Sequence, residues 1–197
     1  MQGPFHRREG QGAEVAGPAL GLIETSSVAR GLVVADAMVK RAPVELVFAR
    51  PVSSGKYVIL VSGEVGDIDE AMASAVDSAA ATLVDRLMLP QAAEALLAAL
   101  RRQTTAPGRT DAVGIFETFS VASAVHAADA AAKAAAVGLA QLRLADGLGG
   151  KAFFVLVGDQ ADVEAALFAA EHVTPTGMLL ARELIAAPHA DLLQHLR

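Results

Sequence analysis

The chain contains the same sequence pattern twice. "GLIETSSVARGLVVADAMVK" begins at Gly21, and "GIFETFSVASAVHAADAAAK" begins at Gly114, 93 residues later. With this shift, 15 of the 32 positions in 19–50 are identical to those in 112–143, without a gap. A period of this length is too long for one unit of a solenoid, so each repeat is predicted to be a domain with its own core.

The alignment of the two repeats changes register at a loop. "RPVSSGK" at residues 50–56 faces the longer "RLADGLGGK" at 143–151, and the ends agree again as "LLAAL" and "LLQHL". The segment between the repeats is polar and carries Pro and Gly, which is typical of a linker. We therefore predict a flexible arm at 1–18, a first domain at 19–101, a linker at 102–111 and a second domain at 112–197.

Each repeat has the pattern strand, helix, strand, strand, helix, strand, short helix. "VELVFAR" and "KYVILVSG" are rich in Val and Ile and are separated by a short Ser/Gly loop, which indicates paired strands. Ser27 is placed to cap the first helix and Asp67 the second. This order predicts an α+β fold of ferredoxin-like type, with an antiparallel sheet and its helices on one face.

Composition and charge exclude several classes of function. A net charge of -6 offers no basic surface for nucleic acid, and the absence of Cys excludes thiolate chemistry, disulfides and iron–sulfur clusters. No apolar run is long enough to span a membrane. The absence of Cys fits a reducing compartment, so we expect a cytoplasmic protein. We find no catalytic constellation and expect no cofactor and no metal, since ligand spacing is absent among His6, His126, His172, His189 and His195.

Both repeats, Ala19–Leu100 and Ala112–Leu196, resemble the shell domain of bacterial microcompartments. The resemblance rests on "GLIET", "VADAMVKRAPVELV" and "SGKYVILVSGEVGDIDEAM", and on their partners "GIFET", "HAADAAAKAAAVGLA" and "GGKAFFVLVGDQADVEAAL". No single segment is specific, but their order and spacing, found twice in one chain, are specific. The resemblance implies a tandem-domain shell protein of non-permuted order, because both repeats begin with the Gly-hydrophobic-x-Glu-Thr strand.

The resemblance implies a homotrimer in which six similar domains surround a central pore. A repeated contact between unlike surfaces also closes into a ring on general grounds, and the 53% hydrophobic content fits either subunit interfaces or an Ala-rich core. In the family the loop after the second strand lines the pore. The residues so implied are Val52, Ser53, Ser54, Gly55, Asp146, Gly147, Leu148, Gly149 and Gly150. From the residues alone, a pair of hairpin turns is the simpler interpretation.

Lys40 and Lys133 occupy the same helix end in the two repeats. A favourable charge at a helix C-terminus explains them, whereas the resemblance implies that they pack tiles side by side at the tile edge. The family's arginine-containing stretch after the fourth strand is replaced here by "LPQAAE" and "AAPHAD". This departure predicts weaker tiling, or tiling with neighbours of another type.

Acidic and hydroxyl residues recur at the end of the first strand of each repeat. Because no histidine accompanies them in the sequence, we expect hydrogen bonding at a subunit interface rather than catalysis from Glu24, Thr25, Glu117 and Thr118.

The predicted function is that of a non-enzymatic shell protein of a bacterial microcompartment. Its expected partners are further copies of itself, other shell hexamers and pentamers, and small metabolites that pass through the pore, but neither nucleic acid nor membrane. The alternative is a tandem ferredoxin-like regulatory module that binds a small effector. The measured mass in solution separates the two, since a monomer or dimer contradicts the shell hypothesis.

Overall fold

The computed structural model describes residues 18–103 and 110–196. Two predicted segments lie largely outside these residues. They are the arm at 1–18, of which only Pro18 is described, and the central part of the linker at 102–111. His6 also lies outside. The order of elements is the predicted one in both repeats. The first repeat consists of β1 Ala19–Thr25, α1 Val28–Arg41, β2 Glu45–Val52, β3 Lys56–Gly63, α2 Val65–Ala79, β4 Leu83–Leu89 and α3 Glu94–Leu100. The second consists of β5 Ala112–Thr118, α4 Val121–Ala134, β6 Gly138–Leu144, β7 Ala152–Gly158, α5 Gln160–Val173, β8 Leu179–Ala186 and α6 Ala190–Gln194.

Serine caps begin the first long helix of each repeat. The Ser27 hydroxyl oxygen accepts a hydrogen bond from the backbone N–H of Arg30 at 3.2 Å, and Ser120 does the same for Ser123 at 3.1 Å. Each contact satisfies one of the N–H groups that a helix start leaves unpaired. The predicted cap at Asp67 is wrong, because α2 begins earlier and Asp67 lies in its first turn.

Each repeat forms a four-stranded antiparallel sheet. The strand orders are β2-β3-β1-β4 and β6-β7-β5-β8, so the first strand of each repeat lies inside its sheet between two antiparallel neighbours. Helices α1 and α2 cover one face of the first sheet, and their contact residues form a single core with it. The predicted ferredoxin-like α+β class is therefore confirmed.

The glycine at the start of each repeat motif has a packing reason. A Cβ atom on Gly21 would lie 2.9 Å from the sulfur of Met72 in α2, and one on Gly114 would lie 2.7 Å from a methyl carbon of Val163 in α5. Real Cβ contacts are not this short, so glycine lets the second long helix approach the central strand, most strictly at Gly114, where the short branched side chain of Val163 has little freedom to move. The recurrence of this glycine in both repeats thus follows from helix–sheet packing.

The short last helix of the second repeat lies on the other face of its sheet. Gly114 faces α5, so Val113 and Ile115 point away from the long helices, since successive strand residues alternate between faces. Leu193 and Leu196, in and just after α6, pack on the core cluster that contains Val113. The helices of this repeat therefore cover both faces of the sheet. The two long helices lie on one face, and the short last helix lies on the other.

The described residues divide into two compact units that do not follow the repeat boundary. The first unit contains residues 18–51 and 57–92, and the second contains 52–56, 93–103 and 110–196. Helix α3 belongs by sequence to the first repeat, but it packs within the second unit against β6 and α4. The predicted end of the first domain at residue 101 and the predicted start of the second at 112 describe the sequence repeats and stay predictions.

Candidate functional site

The two loops in which the repeats differ in length lie together in the second unit. The short loop (residues 51–55) includes the last two residues of β2, and its residues 52–55 belong to this unit. The long loop (residues 145–150) follows β6. The backbone N–H of Gly147 donates to the Ser53 hydroxyl oxygen at 2.7 Å, and the N–H of Ser53 donates to the Ala145 carbonyl at 3.3 Å. The structure thus brings together two segments that are separated by about 90 residues in the sequence.

A lysine next to the short loop holds the end of the long one. The ammonium group of Lys56 donates to the carbonyl oxygen of Gly150 at 3.1 Å and to that of Phe119 at 3.4 Å. A Cβ atom on Gly150 would lie 2.9 Å from Cε of Lys56 and 3.0 Å from Oγ of Ser54, and the φ of Gly150 is +87°. Glycine is favoured at position 150 because residues with a side chain rarely adopt this positive φ.

The nine predicted pore-lining residues differ in accessibility. Val52 and Gly150 are buried, and Ser53 and Leu148 are half-buried. The remaining five are exposed, namely Ser54, Gly55, Asp146, Gly147 and Gly149. The surface that the loops present consists mainly of a hydroxyl, a carboxylate and backbone amides.

The predicted edge lysines form equivalent ion pairs in different surroundings. The ammonium of Lys40 lies 2.6 Å from a carboxylate oxygen of Asp36, and that of Lys133 lies 2.5 Å from Asp129. The Asp36 side chain is 60% exposed, whereas that of Asp129 is 5% exposed. The second carboxylate oxygen of Asp129 accepts the backbone N–H of Ala93 at 2.7 Å, directly before α3. This contact anchors α3 on α4.

The residues predicted for a subunit interface are largely buried within one chain. The hydroxyls of Thr25 and Thr118 donate to the carbonyl two positions ahead, at 3.0 Å and 2.7 Å, and so close the turn from strand to helix. Glu24 is buried, while Glu117 is partly exposed and lies 3.6 Å from the ammonium of Lys151. Their role at a subunit interface stays a prediction.

Sequence reasoning did not find Lys56, Asp129 or the position of α3. Lys56 matches Lys151 in the alignment of the repeats, which was the available signal for Lys56. Asp129 recurs as Asp36 in the same way, but its burial depends on a helix from the other repeat.

Neither a metal cluster nor a membrane helix is found in residues 18–103 and 110–196. No group of three or more potential metal ligands occurs there, and none of the helices combines the length and apolar character needed to cross a bilayer. Of the histidines, His189 is placed before α6, where its Nδ1 accepts the N–H of Asp191 at 3.3 Å.

Comparison with known proteins identifies the domain and its tandem arrangement. The BMC domain matches twice, at residues 19–92 and 112–188. The bacterial microcompartment shell protein PduT of Citrobacter freundii is 38% identical over 175 residues, which cover 88% of this chain and 95% of PduT. The major carboxysome shell protein CsoS1A of Halothiobacillus neapolitanus is 41% identical over 66 residues, which cover 34% of this chain and 67% of CsoS1A.

A solved structure matches over nearly the full length of both chains. The crystal structure of a microcompartments protein from Desulfitobacterium hafniense superimposes with a TM-score of 0.79 at 39% identity, covering 91% of this chain and 99% of that one. The likeness therefore extends over both repeats. The chain belongs to the BMC-domain family and is a bacterial microcompartment shell protein of the tandem-domain type.

Proposed function

We propose that the chain assembles as a homotrimer whose six domains form one shell tile, and that the short and long loops surround a pore for small metabolites. The single observation that supports this best is the pairing of the two loops through Gly147 and Ser53. Three such pairs around an axis give a continuous ring of loops, in which short and long loops alternate.

The chemistry of the loops suits passage of small polar solutes. The exposed hydroxyl of Ser54 and the amides of the long loop can replace part of a solute's hydration shell, and Asp146 adds a negative charge. Leu148 is the largest apolar side chain of the long loop, and we assign it the steric constriction. Val52 and Gly150 are buried, so we assign them a packing role in the loops rather than contact with the solute.

We assign the tile edge to Lys40 and Lys133, and we expect other shell hexamers and pentamers as neighbours. Each ammonium pairs with a carboxylate one helical turn earlier, Asp36 for Lys40 and Asp129 for Lys133. The family is structural, and we propose that this chain also performs no catalysis. The alternative of an effector-binding regulatory module has no support in the comparisons.

Mass and permeation measurements test this proposal together. Sedimentation equilibrium of the full chain is expected to give three times the chain mass of 20.2 kDa. In reconstituted shells, Leu148→Ala is expected to raise the permeation of a small polar solute and Ser54→Leu to lower it, with the trimer intact. Equal permeation by both variants and the parent would contradict the pore, and a monomer or dimer would contradict the assembly.

A further inference from the structure

The long loop has a composition that does not define one backbone conformation. Three of its six residues are glycine, and four of the six have a positive φ, namely Ala145, Gly147, Gly149 and Gly150. Glycine adopts positive and negative φ about equally readily, so many conformations of such a loop have similar free energy. The place that the long loop takes in the fold therefore depends on its contacts with other segments.

Contacts at both ends of the long loop come from residues 53–56 of the first repeat. At its start, the Ser53 N–H donates to the Ala145 carbonyl, and the Ser53 hydroxyl accepts the N–H of Gly147. At its end, the ammonium of Lys56 donates to the carbonyl of Gly150 at 3.1 Å. The loop is thus held by neutral hydrogen bonds at one end and by a charged donor at the other.

The ammonium of Lys56 also joins the long loop to the turn between β5 and α4. It donates to the carbonyl of Phe119 at 3.4 Å, and the N–H of Phe119 donates to the carbonyl of Met178 at 2.9 Å, directly before β8. An ammonium group has three N–H donors, and hydrogen bonds from a charged donor are stronger than neutral ones. One partly buried side chain therefore ties the end of the long loop to the second sheet.

The equivalent lysine of the second repeat makes a different contact. Lys151 aligns with Lys56, and its ammonium lies 3.6 Å from a carboxylate oxygen of Glu117. Lys56 contacts backbone carbonyls around the long loop, whereas Lys151 pairs with an acid. The two lysines therefore offer a matched comparison of the same charge at equivalent positions.

We propose that Lys56 is a positioning residue of the pore. By holding the end of the long loop, it keeps Leu148 in one place and so sets the size of the largest solute that passes. The proposal rests on the pore proposed above and adds a residue outside the predicted pore-lining set. Without the Lys56 contact, the glycines on both sides of Leu148 let this side chain sample several positions, so the size limit becomes less sharp.

Hydrogen exchange of the assembled protein tests the contact. Lys56→Met removes the ammonium but keeps a long unbranched side chain, and exchange of residues 145–151 is expected to be at least about tenfold faster than in the parent. Lys151→Met is the control, because it removes the same charge and leaves the Gly150 and Phe119 contacts in place. Its exchange is expected to stay within about twofold of the parent. Lys56→Arg keeps a charged donor and is expected to lie closer to the parent than Lys56→Met.

Permeation of two neutral solutes tests the consequence for the opening. In reconstituted shells, the ratio of sucrose to glycerol permeation is expected to rise by about threefold or more in Lys56→Met and to keep its parental value in Lys151→Met. Neutral solutes are chosen because the loss of a positive charge by itself alters the passage of ions. Sedimentation and circular dichroism check assembly and folding. If Lys56→Met does not assemble, Lys56→Gln replaces it, since its neutral amide is a weaker donor of shorter reach.

The outcomes separate this role from the pore itself. Unchanged exchange in Lys56→Met, faster exchange with an unchanged permeation ratio, or equal effects of Lys56→Met and Lys151→Met would each overturn the role of Lys56 and leave the pore intact. Parental permeation in both Leu148→Ala and Ser54→Leu would contradict the pore, and the size limit assigned to Lys56 would fall with it. The exchange rates would still show whether Lys56 holds the loop.

Discussion

The backbone N–H of Gly147 donates a 2.7 Å hydrogen bond to the hydroxyl oxygen of Ser53. This bond joins the loops in which the two repeats differ in length, and it depends on one side-chain atom. Each loop joins two neighbouring strands of its sheet, and this bond links the two turns to each other.

We predict that Ser53→Ala lowers the free energy of unfolding by about 1 kcal/mol, the usual contribution of one hydrogen bond. Urea unfolding followed by circular dichroism measures this loss. Ser54→Ala is the matched control, because Ser54 is exposed and next in sequence, and its effect is expected to stay below about 0.5 kcal/mol. Equal losses for the two variants would contradict a specific role for the Ser53 contact.

Gly114→Ala is predicted to destabilise the fold by about 1–3 kcal/mol, because the added methyl group overlaps Val163 in a packed core. Gly66→Ala provides the opposite case. Gly66 lies in α2 with no atom within 4 Å of the added carbon, so this change is expected to stabilise by about 0.5–1 kcal/mol. Thermal unfolding of both variants measures the difference in sign, and a stabilised Gly114→Ala protein would refute the packing argument.

The two edge lysines are predicted to differ in their effect on stability. Lys40→Ala removes an exposed ion pair and is expected to cost less than about 0.5 kcal/mol. Lys133→Ala leaves the buried carboxylate of Asp129 with one partner fewer and is expected to cost about 1–2 kcal/mol. Chemical denaturation of the two single variants measures both losses in the free energy of unfolding. A larger loss for Lys40→Ala than for Lys133→Ala would contradict the prediction.

The proposed edge role predicts a separate result for the double variant. Lys40→Ala with Lys133→Ala is expected to leave the trimer intact and to abolish extended sheets under the electron microscope. The double arginine variant keeps both charges and serves as the control, although arginine does not reproduce lysine geometry. If the double alanine variant forms normal sheets, these lysines have no role at the tile edge. If it loses the trimer, the lysines contribute to contacts within the trimer.

The repeat predicts much of this fold because both copies obey the same packing rules. Gly21 and Gly114 occupy equivalent strand positions, and Ser27 and Ser120 cap equivalent helices. Such features are local or depend on one helix–sheet contact, so they can be recognised in the sequence of either repeat.

The position of α3 could not be predicted in the same way. The apolar spacing of Leu96 and Leu97 indicates a buried face, but it does not indicate which sheet or helix covers that face. The role of Lys56 was hidden for a related reason, because its partners at Gly150 and Phe119 are backbone carbonyls. Every residue carries a backbone carbonyl, so the sequence does not indicate which carbonyl accepts the hydrogen bond from Lys56.

The long loop carries a carboxylate, Asp146, whereas residues 52–55 of the short loop carry none. In a ring of six identical one-domain chains, each substitution near the axis occurs six times. In the proposed trimer, it occurs three times, so the charge around the opening changes in steps of three. Duplication therefore allows one loop to specialise in charge while the other keeps its hydroxyls, a division that sixfold symmetry forbids.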